Sequence, residues 1–120
     1  MLRIDIQSLN TVATLYCSGQ LTFGVEVEML RPMVQARHEE NIRIDLSRVE
    51  KIDASGLGLL VELQIWARET RRSLKLIDLS DFVWKLVVLT KLYSLLEISY
   101  SGVTAIGGKK DDYDEREMIA

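Results

Sequence analysis

The chain has one cysteine, one histidine and one proline in 120 residues, and each scarcity excludes something. A lone cysteine, Cys17, cannot close an internal disulfide, so no disulfide framework is expected. Its apolar neighbours mark it as a small buried hydrophobe. One cysteine and one histidine, His38, leave too few ligands at metal-binding spacing, so no metal or other cofactor is expected. Positive charge is also short: 15 Lys and Arg stand against 18 Asp and Glu, a net charge of −3. The basic residues are scattered, and the one cluster, Arg68, Arg71 and Arg72, lies among acids. Binding to a phosphate backbone needs clustered cations, so a nucleic-acid partner is not expected. No apolar run is long enough to span a membrane. The first residues already carry Arg3 and Asp5, unlike a secretory leader. Cytoplasmic residence without membrane insertion is the resulting expectation.

What is present suits one globular domain: 48% hydrophobic and 28% charged residues in a chain long enough to bury a core. "LRIDI" (residues 2–6) and "VATLYCSG" (12–19) alternate in period two, the mark of half-buried strands, with a turn at Ser8-Leu9-Asn10. "GVEVEMLRPMVQARHEE" reads as helix in its second half, where Met29, Leu30, Met33 and Val34 share a face. Pro32 there costs about 3 kcal/mol in a helix interior, so the helix either starts near Met29 or is kinked. A strand follows at residues 42–46, then a connector at 47–53, a helix from Gly56 and a strand at 74–79. A helix over residues 80–92 is capped by Ser80, and a last strand takes residues 95–99. Strands alternating with helices predict an α/β domain with a mixed, largely parallel sheet and helices packed on it. The domain is expected over residues 1–104, with 105–120 a flexible acidic C-terminal tail.

The stretch "KIDASGLGLL" (residues 51–60) joins strand to helix. On a helical wheel Leu59, Leu60, Leu63, Trp66 and Ala67 form one core face. Leu57, Val61 and Ile65 form a second apolar stripe. Either a neighbouring element covers that stripe or another protein does. Ser55 precedes the first helical residues, where its hydroxyl can cap a free backbone N–H. Gly56 and Gly58 each cost about 1 kcal/mol of helix propensity, which suggests that access or close backbone approach matters there. A nucleophilic role lacks support: the G-x-S-x-G elbow is absent, with Asp53 at its first position, and His38 sits in a charged stretch. A phosphate loop is absent too, because no lysine follows Gly58. Nothing here points to an enzyme. Phosphorylation fits the stretch: it would add about −1.5 to −2 charges at Ser55, which the N–H groups of the helix start tolerate and Asp53 opposes. That changes a surface without unfolding it.

In their order, "YCSGQL", "IRIDLSRVEKIDASGLGLL" and "LKLIDLSDFVWKLVVLTKLYSLLEI" resemble the STAS domain, and within it the bacterial anti-sigma factor antagonists. The likeness covers roughly residues 2–100. It implies a single STAS-type domain with a five-stranded mixed sheet. It further implies that Ser55 is phosphorylated by an anti-sigma factor that is also a serine kinase. The unphosphorylated form would bind that kinase and release the sigma factor, and a PP2C-type phosphatase would reset the system. Thr22, Asp53, Ala54, Gly56, Leu57, Gly58, Val61 and Ile65 would form the partner-binding surface. Thr22 stands where the family often has an acidic residue, and Gln20 where a glutamate is common. The alternative within the resemblance is a STAS scaffold that does not switch: a subunit of a stress-sensing complex or of a lipid-transport ATPase.

Overall fold

The computed structural model describes residues 1–100. The expected boundary at 104 and tail at 105–120 lie outside the described residues. Five strands and three α-helices follow in the order β1 (Leu2–Leu9), β2 (Val12–Leu21), α1 (Val25–Gln35), β3 (Asn41–Ile52), α2 (Ala54–Glu69), β4 (Ser73–Ile77), α3 (Asp81–Leu89) and β5 (Ile98–Ser99), with a 3-10 turn at Leu92–Ser94 before β5. The sheet runs in sequence order, β1-β2-β3-β4-β5. Among the described residues only β1 and β2 are antiparallel; the later neighbours are parallel. The parallel crossovers all step the same way, so their right-handedness puts α1 and α2 on the same face of the sheet.

The period-two pattern determines which side chains meet that face. Leu15 and Cys17 on β2, Ile42, Ile44 and Leu46 on β3, and Leu74 and Leu76 on β4 are buried in one cluster with Leu30 and Val34 of α1 and Leu60 and Leu63 of α2. Each buried Leu, Ile or Val among them contributes about 1.5–3 kcal/mol. Burial, and then the Asp45 carboxylate, push the Cys17 thiol up to about 12, so it stays protonated at neutral pH. The opposite face carries Arg3, Asp5 and Tyr16, with Arg43 and Lys75 one row along.

Several boundaries differ from the sequence expectation. The expected connector at 47–53 is strand: β3 continues to Ile52 because a register shift opposite Tyr16 and Ser18 absorbs the break in alternation. Val49 and Ile52 still turn inward. α1 starts at Val25, four residues before Met29, and keeps Pro32 inside on its exposed side. β1 extends to Leu9, so the turn moves to Asn10-Thr11. β5 shrinks to two residues.

β3, with 12 residues, outruns β4, with five. The second half of β3 pairs with β2 alone, and α3 fills the space on its other side. Ser80 makes that junction. Its N–H donates to the Leu46 carbonyl at 3.1 Å, its hydroxyl donates to the Val49 carbonyl at 2.7 Å, and its oxygen accepts from Val83 N at 3.3 Å. The expected cap of α3 is thus also a seam between helix and sheet.

Candidate functional site

β3 ends at Ile52 and α2 begins at Ala54, so Asp53 falls between them in an extended conformation. Its carboxylate is the N-cap of α2. One oxygen accepts from Gly56 N at 2.9 Å. The other accepts from Phe23 N, also at 2.9 Å, thirty residues earlier in the loop between β2 and α1. One side chain therefore fixes both the helix start and the neighbouring loop. Burial pushes the Asp53 carboxyl up, but N–H donors from Gly56, Phe23 and Ser55 together hold it below the ordinary aspartate value of 3.8.

The capping role expected of Ser55 is corrected here. Ser55 is the second residue of α2, and the cap is Asp53. Asp53 wins because it alone reaches both the helix and the loop. Ser55 is half-buried, and among the described residues its hydroxyl makes no hydrogen bond. The N–H groups expected to receive a phosphate are already occupied in part by Asp53.

The second apolar stripe divides. Leu57 is only 6% exposed and belongs to the core cluster. It is therefore not part of the surface. Gly56 is buried as well. A Cβ there would collide with the Leu21 carbonyl and lie 2.7 Å from Ile52 Cγ1, so this glycine serves close backbone approach inside the domain. At Gly58 nothing lies within 4 Å of such a Cβ. Gly58, Val61 and Ile65 line a shallow groove of about 430 Å³ with Gln35, Glu62 and Trp66. Arg31 of α1 closes one side: it donates to Glu62 at 2.7 Å and to Glu28 at 2.7 Å. Ala54 is exposed at the helix start, and Thr22 is half-buried in the loop that Asp53 holds.

The sequence reading missed Phe23 and Val25. They flank Gly24 and are 79% and 75% exposed, Phe23 on the loop that Asp53 ties to α2 and Val25 at the start of α1. Two apolar residues around a glycine just past a strand end, in "LTFGVEV", were the available signal. His38 lies before the start of β3 and Ser55 just after its end. Twelve extended residues separate the two by about 35 Å, so they form no nucleophile–base pair. Among the described residues no group of three or more His, Cys, Asp or Glu side chains could hold a metal ion, and no helix is long and apolar enough to cross a membrane.

Replacing Asp53 by asparagine tests the clamp. The folded-state carboxyl titrates below its unfolded value, so its stabilisation is complete above the unfolded value and lost as pH falls through the folded one. An amide has one acceptor oxygen where the carboxylate uses two, so at pH 7 the variant should be less stable by about 1 kcal/mol in urea denaturation. The gap should close as pH drops below 3.8. A gap that stays constant with pH would show that the charge contributes nothing.

Comparison with known proteins places this geometry. Residues 4–97 match the family described as Mlab, STAS domain. The intermembrane phospholipid transport system binding protein MlaB of Escherichia coli is 35% identical over 91 residues, covering 72% of this chain and 86% of MlaB. MlaB of Shigella flexneri matches to the same extent. Among solved structures, the anti-sigma factor antagonist SpoIIAA in its unphosphorylated form superposes with a TM-score of 0.67 at 17% identity, over 87% of this chain and 93% of that one. An anti-sigma factor antagonist from Mycobacterium paratuberculosis gives 0.65 at 17% identity, over 82% and 85%. At such identities the structural likeness establishes the fold.

Proposed function

Because this chain belongs to the Mlab-type STAS domain family, we propose that it is a non-catalytic docking subunit of an intermembrane phospholipid transport system, working on the cytoplasmic side. The observation that carries the reading is the 35% identity to MlaB over 86% of that protein. It matches the lipid-transport alternative in the sequence reading. The surface supports it: Gly58, Val61 and Ile65 line an open groove on α2. Phe23 and Val25 add exposed apolar side chains at the clamped loop and the start of α1. Ile65 is 46% exposed; such side chains are where another protein gains affinity by excluding water. The test is purification of the tagged chain from its own cell. A transport ATPase should co-purify in stoichiometric amount and be lost when Ile65 is replaced by Asp. Recovery of a serine kinase instead would overturn the reading.

One observation favours the second reading, an anti-sigma factor antagonist switched at Ser55. With Asp53 as the cap, the Ser55 hydroxyl has no structural duty among the described residues and is available to a kinase. A phosphate there would sit beside Asp53 and Gly58 and alter the docking face without touching the core. Intact-mass analysis after incubation with a co-purified kinase and ATP should then show one added phosphate that is absent from Ser55→Ala. A PP2C-type phosphatase should remove it. No mass gain would eliminate the switch and leave the docking subunit.

A further inference from the structure

β1 forms one border of the sheet, and it is the long border: eight residues, against two in β5 at the other side. It contains no proline, and its pairing with β2 runs without a register shift. Folded proteins usually blunt such an edge, because its free N–H and C=O groups invite another strand. The direction of those groups follows from the ladder. Gln20 N donates to the Met1 carbonyl at 2.8 Å, and the antiparallel register continues as Leu2 opposite Gly19 and Arg3 opposite Ser18. Hydrogen-bonded and non-bonded pairs alternate along such a ladder. Odd-numbered residues therefore bond to β2, and Leu2, Ile4, Ile6 and Ser8 turn their backbone groups outward.

We propose that β1 is a self-association edge, pairing antiparallel with β1 of a second copy about a two-fold axis at Ile4. The sequence "LRIDI" reads as its own complement in that register. Leu2 meets Ile6, Arg3 meets Asp5, and Ile4 meets Ile4 of the second copy. The pairs at Leu2, Ile4 and Ile6 use outward-facing backbone groups on both sides and form about six hydrogen bonds. Arg3 and Asp5 pair within their own strand at 3.1 Å, with side chains 77% and 63% exposed, and each is free to take the opposite charge across the axis. Ile6, 37% exposed on the helix side, gains cover from Leu2 of the second copy. A shift by two residues either way keeps the backbone bonding but sets Arg3 against Arg3 or Asp5 against Asp5, which like-charge repulsion disfavours. The charges thus select one register and one symmetric partner, an isologous dimer with a continuous sheet. α2 packs over β3 and β4, so the docking groove of each copy stays uncovered. The dimer does not depend on what that groove binds.

Sedimentation equilibrium over a concentration series tests this on the whole chain. The unmodified protein should pass reversibly from monomer to dimer. Asp5→Arg should weaken the dimer about tenfold or more, and the exchanged pair R3D/D5R should restore it. Ile6→Pro removes an outward N–H without breaking the β2 ladder. It should abolish the dimer while circular dichroism and thermal melting show the fold retained. If Asp5→Arg fails to fold, R3D/D5R and Ile6→Pro carry the test. A chain that stays monomeric at its highest soluble concentration overturns the proposal. So does a dimer indifferent to Ile6→Pro, or one that R3D/D5R fails to restore.

Discussion

Gly56→Ala should destabilise the domain by about 3 kcal/mol, a fall of about 12 °C in melting temperature, although alanine is the better helix former by about 1 kcal/mol. The added methyl points at the Leu21 carbonyl and at Ile52. A flexible side chain could swing away, but the carbonyl belongs to the last residue of β2, and moving it drags the loop that Asp53 holds. Gly58→Ala, two residues on, should do the reverse. Nothing stands within 4 Å of its methyl, so the helix gains about 0.5–1 kcal/mol. The same methyl stands in the docking groove and should lower affinity for the partner while raising the melting temperature. Thermal melting of the two variants beside the parent decides the matter. Equal melting of Gly56→Ala and the parent would mean that the β2 end has slack the geometry denies.

Gln64→Leu should cost a similar amount for the opposite reason: it leaves a vacancy in bonding, not a surplus of volume. Gln64 is buried in α2. Its amide donates to the Leu74 carbonyl at 3.1 Å and accepts from Glu97 N at 3.0 Å. It thereby links α2, β4 and the approach to β5, a strand of only two residues. Leucine nearly preserves the shape but leaves these backbone groups unpaired, at about 1–3 kcal/mol for each buried one. The loss is expected near 3 kcal/mol. Hydrogen exchange should locate it, with the Glu97 and Ile98 amides opening faster than those of β2 and β3. Uniform acceleration through the whole sheet would mean that β5 has no separate anchor.

Gln64 also shows where sequence reading stops. The helical period correctly picked Leu59, Leu60, Leu63 and Ala67 as the inward face of α2, and period two did the same for Ile42, Ile44 and Leu46, because each pattern reports a wall directly against its own element. A second wall leaves no such trace. Leu57 falls outside the main sector, yet it is only 6% exposed and belongs to the core cluster. Gln64 carries no mark of burial in the sequence, because its partners, Leu74 and Glu97, are ten and thirty-three positions away. On sequence the cap of α2 falls to Ser55 and not, as in the structure, to Asp53, for the same reason. Asp53 and Ser55 are both good caps, and what separates them is a bond to Phe23 N. The family likeness made the order of elements readable and pointed to a candidate region for the site. It could not say which residues of that region face outward, and there Leu57 and Gly56 give way to Phe23 and Val25.

The overhang of β3 beyond β4 has a consequence during synthesis. As the chain emerges from the ribosome, β1, β2 and all of β3 are available before α3 exists. Until Ser80 is out, the carbonyls of Leu46 and Val49 have no seal, and half of the longest strand presents a raw border. The nascent chain is therefore most exposed to misassociation after residue 52 has left the ribosome and before residue 80 has. A translational pause in that interval would prolong the hazard, and one placed after α3 would not.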